Sequence, residues 1–202
     1  VNDIREVFEA GEIDYIAITD HSRIELAYEL KKEFGDKIII GEEIMTTHGE
    51  IIGLFLEKEI PKFLSPEETV EEIRKQGGLV YIPHPFDGRR SGIEKYEKYE
   101  EILDAADIIE VYNSRCFTQT PNEEAYEYAL SHEKLMAAAS DAHGPKDIGV
   151  SFVEVAPFSN AVEFLDRMKN ATLSRNKMHV RGFFSPTKSK IQKRLNQNKI
   201  TH

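Results

Sequence analysis

Short apolar runs rich in Ile and Val recur along this chain, and most are followed by a stretch with helical periodicity. They occupy residues 14–19 (DYIAIT), 37–41 (KIIIG), 50–56 (EIIGLFL), 78–82 (GLVYI), 107–112 (DIIEVY), 135–139 (LMAAA) and 152–156 (FVEVA). Near-continuous apolar runs of this length suit strands buried on both faces. Helical patterns fall at residues 2–10, 22–34, 94–105, 121–133 and 160–169. A further helix starts after Ser65, where Pro66, Glu67 and Glu68 form an N-terminal signal, and stops at Gly77-Gly78. Strand, helix, strand in this rhythm implies parallel strands joined by crossovers. The expected fold is an α/β parallel barrel, or a barrel-like sheet.

In such barrels the functional site is built from the loops at the C-terminal ends of the strands. Five polar clusters stand there: Thr19-Asp20-His21, Gly41-Glu42-Glu43, Pro83-His84-Pro85, Tyr112-Asn113-Ser114-Arg115 and Ser140-Asp141-Ala142-His143. His, Asp and Glu bind divalent metals through nitrogen and oxygen. His21 follows a strand directly and reads as a ligand, with Asp20 placed to orient its imidazole; the plainer alternative is a helix cap beside a surface histidine. Glu42 and Glu43 point opposite ways in an extended segment, so one faces the site and the other faces away. His84 lies between two prolines that stiffen an extended backbone. Asp141 and His143, two residues apart, share a face if their segment is extended. Arg89, Arg90 and Arg115 lie on loops at the same mouth, where guanidinium forks match phosphate oxygens; surface pairing with glutamates is the alternative. His48 falls in a hairpin turn and His132 at a helix end, and neither reads as a ligand.

Composition narrows the function classes. The 202 residues suffice for one domain with a sizeable core. No apolar stretch approaches the roughly 20 residues that span a bilayer. Residues 1–10 do not read as a secretory signal. Cys116 is the single cysteine, so an internal disulfide is excluded and a cytoplasmic setting is expected. There is no P-loop and no dinucleotide-binding glycine fingerprint. The net charge of −10 is unevenly spread: all 36 acidic residues lie at or before Asp166, and the 36 residues after it hold ten basic ones. Two segments are expected, a barrel over residues 1–169 and a basic extension over 170–202. The extension either neutralises the acidic body or contacts nucleic acid.

The segments IAITDH, IIIGEEI, YIPHP, IEVYNSR and SDAH, in this order, resemble the PHP (polymerase and histidinol phosphatase) domain family. The resemblance implies a distorted (β/α)7 barrel binding two or three divalent ions (Zn, Mn or Fe) and hydrolysing phosphoesters. Carried over by position, it makes His21, Glu43, His84, Asp141 and His143 metal ligands, with Glu43 bridging. Asn113 and Arg115 then line the substrate pocket. The family opens with a His-x-His strand ahead of the TDH segment; it is expected before Val1, so the barrel is expected to lack that strand here. Some members carry another histidine between the GxE and HP motifs, where this chain offers only Glu50 and His48. The expected activity is hydrolysis of a phosphomonoester or nucleotide-type phosphate by a metal-activated water. Glu43, Asp141 and Asp20 serve the chemistry, and Asn113, Arg115, Arg89 and Arg90 serve a small phosphorylated substrate. The rivals are a metal-dependent amidohydrolase and a non-catalytic module binding nucleic acid or a protein.

Overall fold

The computed structural model describes residues 2–90 and 92–177. A six-stranded sheet runs in the order β1 (Ile16–Ile18), β2 (Ile38–Met45), β3 (Glu50–Leu54), β4 (Leu79–Ile82), β5 (Ile108–Asn113) and β6 (Leu135–Ala139). Helices α2 (Glu25–Phe34), α3 (Pro66–Lys75), α4 (Tyr99–Ala105) and α5 (Thr120–Ser131) lie between strands, and α1 (Asn2–Ala10) precedes them. A separate antiparallel hairpin, β7 (Phe152–Glu154) with β8 (Thr172–Ser174), is bridged by α6 (Ala161–Met168). The result is an α/β fold around a curled, mostly parallel half-barrel sheet.

The uniformly parallel barrel expected from sequence needs correction at β3. That strand is antiparallel to both β2 and β4, whereas β1–β2, β4–β5 and β5–β6 are parallel. The four residues Thr46–Gly49 leave no room for a crossover helix, which parallel pairing requires. The turn closes with Thr46 N–H donating to the Gly49 carbonyl at 2.9 Å. Pairing with β3 also carries β2 on to Met45, so Glu42 and Glu43 lie inside a strand rather than on the loop after it.

Strand alternation sorts the side chains into two cores. One face sends Ile40, Ile44, Ile51, Val80, Ile82, Ile109 and Val111 against α2 to α5. The other face carries Ile39, Ile52, Leu54, Leu79, Tyr81, Ile108 and Ala137, covered by Phe158 and Met168. Along β2, β3 and β5 this inner face turns polar, because Glu43, Glu50 and Glu110 continue the inward positions of Ile39, Ile52 and Ile108. The same alternation that builds the core therefore aims three carboxylates into one end of the curl.

Two local features carry stability predictions. At α3 the Ser65 hydroxyl accepts from Glu68 N–H at 3.1 Å, and the Glu68 carboxylate accepts from Ser65 N–H at 2.8 Å. Ser65→Ala should cost about 1 kcal/mol in chemical denaturation. Glu42 faces the helices, with no solvent exposure. One of its oxygens accepts from Ile60 N–H at 2.9 Å, and the other has no hydrogen-bond partner among the described residues. Burial pushes its pKa from 4.5 to about 7. The folded state then holds a proton that the unfolded chain releases. Stability should fall as pH rises from 4.5 to about 7 and level off above. Glu42→Gln should flatten that slope and gain at most about 3 kcal/mol over the parent at pH 8, as read from urea unfolding across pH.

The hairpin strand β8 and Asn176 fall in the segment expected as a basic extension. The Asn176 carbonyl accepts from the hydroxyls of Ser114 and Ser151 at 2.8 and 2.9 Å. Its N–H donates to Ser151 Oγ at 2.8 Å. Residues 170–177 are thus stitched to the end of β5, and the rest of the basic segment lies outside the described residues. None of the described helices is long and apolar enough to cross a membrane.

Candidate metal centre

Four side chains from four places in the chain converge at the polar end of the inner face. His21 follows β1 and forms an isolated parallel bridge with Glu43 of β2. Its Nδ1 lies 3.2 Å from Glu43 Oε2 and 3.5 Å from Glu50 Oε1. His84 approaches from the loop after β4, its Nε2 lying 3.5 Å from Glu43 Oε1 and 3.9 Å from Glu50 Oε2. Ligating atoms of His21, Glu43 and Glu50 all lie within 4.8 Å of one another. Donors bound at about 2.1 Å to a tetrahedral ion sit about 3.4 Å apart. The observed spacings bracket that value, and two imidazoles with two carboxylates are a fitting donor set for a borderline divalent ion.

The electrostatics point the same way. The Glu50 pKa is raised by burial and then by the neighbouring Glu43 carboxylate. For His84, burial opposes the charged form, but its contact with Glu43 and the charge of Glu110 outweigh this and raise its pKa. Its Nδ1 is buried without a hydrogen-bond partner among the described residues. Two crowded carboxylates at the end of an apolar sheet face gain from a cation between them.

Asp141 and His143 stand on the next side of the same end. The His143 and His21 rings are 6.5 Å apart between centroids. His143 Nδ1 lies 3.0 Å from the Asp141 carbonyl oxygen and 3.4 Å from its carboxylate. Two backbone expectations fail here. His84 has φ 30° and Asp141 has φ 51°. Neither segment is extended, so the prolines beside His84 and the spacing of Asp141 and His143 do not act through strand geometry. Left-handed backbone at non-glycine residues is held only where the surroundings over-determine it, and it clusters at functional sites.

The expected substrate residues are placed differently from one another. Arg90 is turned inward: its guanidinium contacts Asp141 Oδ2 and lies 3.4 Å from both Asn113 Oδ1 and Asp87 Oδ2. Asn113 is buried and its carboxamide is fully used. Nδ2 donates to Glu110 at 2.9 Å and Asp141 at 3.2 Å, while Oδ1 accepts from Arg115 N–H at 2.9 Å and from Arg90. Asn113 thus locks the site together, and Asn122 of α5 fixes it by accepting from its backbone N–H at 3.0 Å. The Arg89 guanidinium carbon lies 4.6 Å from the centroid of the Phe117 ring, beside a cleft of about 280 Å³ that both residues line with Phe86 and Glu124. Arg115 is half-buried. Asp20 is exposed and contributes its carbonyl, which accepts from Glu43 N–H at 3.3 Å.

Three contributors escaped the sequence reading or stood only at its margin. Glu50, with His48, was a candidate for the place of an absent histidine. Glu50 enters the cluster, while His48 is exposed and packs on Tyr96 at 4.7 Å. Glu110 was unread. It accepts from Tyr81 OH at 2.8 Å and from His84 N–H at 2.7 Å, deep under the site. A glutamate inside the apolar run IIEVY was the available signal, since unpaired acids are rarely buried. Asp87, also unread, closes the turn before Arg90. Cys116 lies buried beside it, and burial followed by the Asp87 charge pushes its thiol to about 12, so it is no nucleophile.

Comparison with known proteins agrees with this picture. A family model described as PHP-associated matches residues 119–173. An uncharacterized Methanocaldococcus jannaschii protein, MJ0417, is 39% identical over 166 residues, covering 77% of this chain and 67% of its own. A second from the same organism, MJ1587, is 60% identical over 77 residues, covering 37% of this chain and 45% of its own. Among solved structures, the chain is similar to a two-domain Bacteroides vulgatus protein containing a predicted PHP-like metal-dependent phosphoesterase. The TM-score is 0.61 at 19% identity, with 81% of this chain and 56% of that one covered. It is also similar to PsfC of Pseudomonas syringae, with TM-score 0.65 at 13% identity and 96% and 88% covered. At these identities the structural likeness is one of fold. The chain belongs to the PHP domain family.

Proposed function

We propose that this protein is a metal-dependent phosphoesterase whose ion sits among His21, Glu43, Glu50 and His84. The observation that carries the proposal is a convergence at the polar end of an otherwise apolar sheet face: ligating atoms of His21, Glu43 and Glu50 lie within 4.8 Å of one another, and His84 Nε2 lies 3.5 and 3.9 Å from the two carboxylates. The fold shared with the Bacteroides vulgatus protein, described as containing a predicted PHP-like metal-dependent phosphoesterase, supports the reaction class. Closure into a (β/α)7 barrel is a finer part of the same reading. A divalent ion here supplies Lewis acidity and acidifies a water near neutral pH. The chain's own groups do the rest. Glu43 and Glu50 would hold the ion together with His21 and His84. Arg90 and Arg115 offer guanidinium N–H groups to the non-bridging phosphoryl oxygens, where charge develops. His143, exposed at the mouth, is positioned to pass a proton to a leaving alkoxide.

The test is turnover of phosphomonoesters, including nucleotides, by the metal-loaded chain, with inorganic phosphate as a competitor. Phosphate release inhibited by added phosphate is expected. Cleavage of C–N bonds that is indifferent to phosphate would instead mark an amidohydrolase.

A further inference from the structure

Two groups of polar side chains meet at the polar end of the sheet, and in one of them a cation of the chain's own, Arg90, already stands. On one side, the ion pairs that hold Glu43 and Glu50 are with His21 and His84, groups that are neutral whenever they bind a metal. On the other side, the Arg90 guanidinium is bound on three edges. Nη1 meets Asp141, Nη2 reaches Asn113 Oδ1, and Nε reaches Asp87 Oδ2. The turn beneath it is closed as well: Arg90 N–H donates to the Asp87 carbonyl at 2.8 Å, and Arg89 N–H donates to Asp87 Oδ1 at 3.2 Å. Asp87 therefore ties both the backbone and the side chain of Arg90 in place.

We propose that Arg90 is a built-in second cation, so that the site takes one divalent ion, on His21, Glu43, Glu50 and His84, with Arg90 replacing a second ion beside Asp141. This rests on the metal-dependent reading above. A guanidinium does not lose its proton in a protein. An ion approaching Asp141 meets a fixed positive charge at hydrogen-bond range, on side chains that are only about a fifth exposed. Asp141 is charge-compensated without metal, and a second contact, from the Asn113 amide, holds it toward Arg90. Arg90 keeps two N–H groups beyond its three contacts. A phosphoryl group then lies between one metal ion and one guanidinium, a pairing that selects planar, bidentate oxyanions.

The experiment is the count of Mn²⁺ bound per chain at saturation, by equilibrium dialysis and elemental analysis. It uses the parent chain, Arg90→Ala and Asp141→Asn. One ion is expected in the parent, two in Arg90→Ala, where Asp141 is released, and one in Asp141→Asn. Two or more ions in the parent would overturn the proposal while leaving the metal-dependent function standing. So would loss of the ion in Asp141→Asn, or a count still at one in a folded Arg90→Ala. No ion in the parent would overturn both. The parent and Asp141→Asn counts decide the matter even if Arg90→Ala does not fold.

Discussion

Replacing Glu43 with glutamine should weaken ion binding by at least about 100-fold, or about 2.7 kcal/mol, and remove phosphoester turnover with it. The two Glu43 oxygens reach both imidazoles, at 3.2 Å from His21 and 3.5 Å from His84, closer than the Glu50 oxygens at 3.5 and 3.9 Å. Glutamine keeps the shape but turns one of those oxygens into an N–H₂ group that cannot ligate. The effect on the metal-free fold should have the opposite sign. Glu43 raises the pKa of Glu50, so its negative charge is a cost in the absence of a cation. The metal-free variant should therefore unfold at the same temperature as the parent or higher, while its ion titration collapses. A variant that lost stability and kept its ion affinity would show Glu43 to be a structural residue.

Glu110→Ala should be the most damaging single change to the fold, at about 3–5 kcal/mol. The carboxylate lies fully buried and accepts from Tyr81 OH, His84 N–H and the Asn113 side chain. Alanine leaves the tyrosine hydroxyl and the His84 amide without an acceptor. Glutamine should cost far less, about 1 kcal/mol, because its N–H₂ can face Tyr81, whose hydroxyl turns to accept. Urea unfolding of the metal-free proteins separates the two. The Glu110→Ala chain should also bind metal about 10-fold more weakly if it folds, since His84 is hung from that carboxylate. Equal losses for alanine and glutamine would contradict this accounting.

The strands were legible because β-branched runs such as KIIIG and DIIEVY have few other stable uses. Their directions were less so. The turn before β3 was visible in Thr46–Gly49, yet strand direction is a property of the connection, and the helical rhythm elsewhere suggested uniform crossovers. Strand β8, only three residues long, carries no periodicity to read, and it exists through its pairing with β7. Among site residues, His21 and His84 stood where the strand pattern put them, while Glu43 lies within β2 rather than after it. Glu110 and Asp87 did not announce themselves, because their work is done through hydrogen bonds to groups distant in sequence. Arg90 was read as a substrate contact from its loop position, and sequence gave no hint that three acceptors would turn it inward.

The most direct test of the central claim is phosphate release from phosphomonoesters by chelator-stripped chain as Mn²⁺ is added back. The parent protein should be inactive without metal and gain activity in proportion to ion bound at the His21, Glu43, Glu50 and His84 cluster. The double variant Glu43→Gln/Glu50→Gln should stay inactive throughout. Phosphate release by the stripped chain, or equal release by the double variant, would contradict the account.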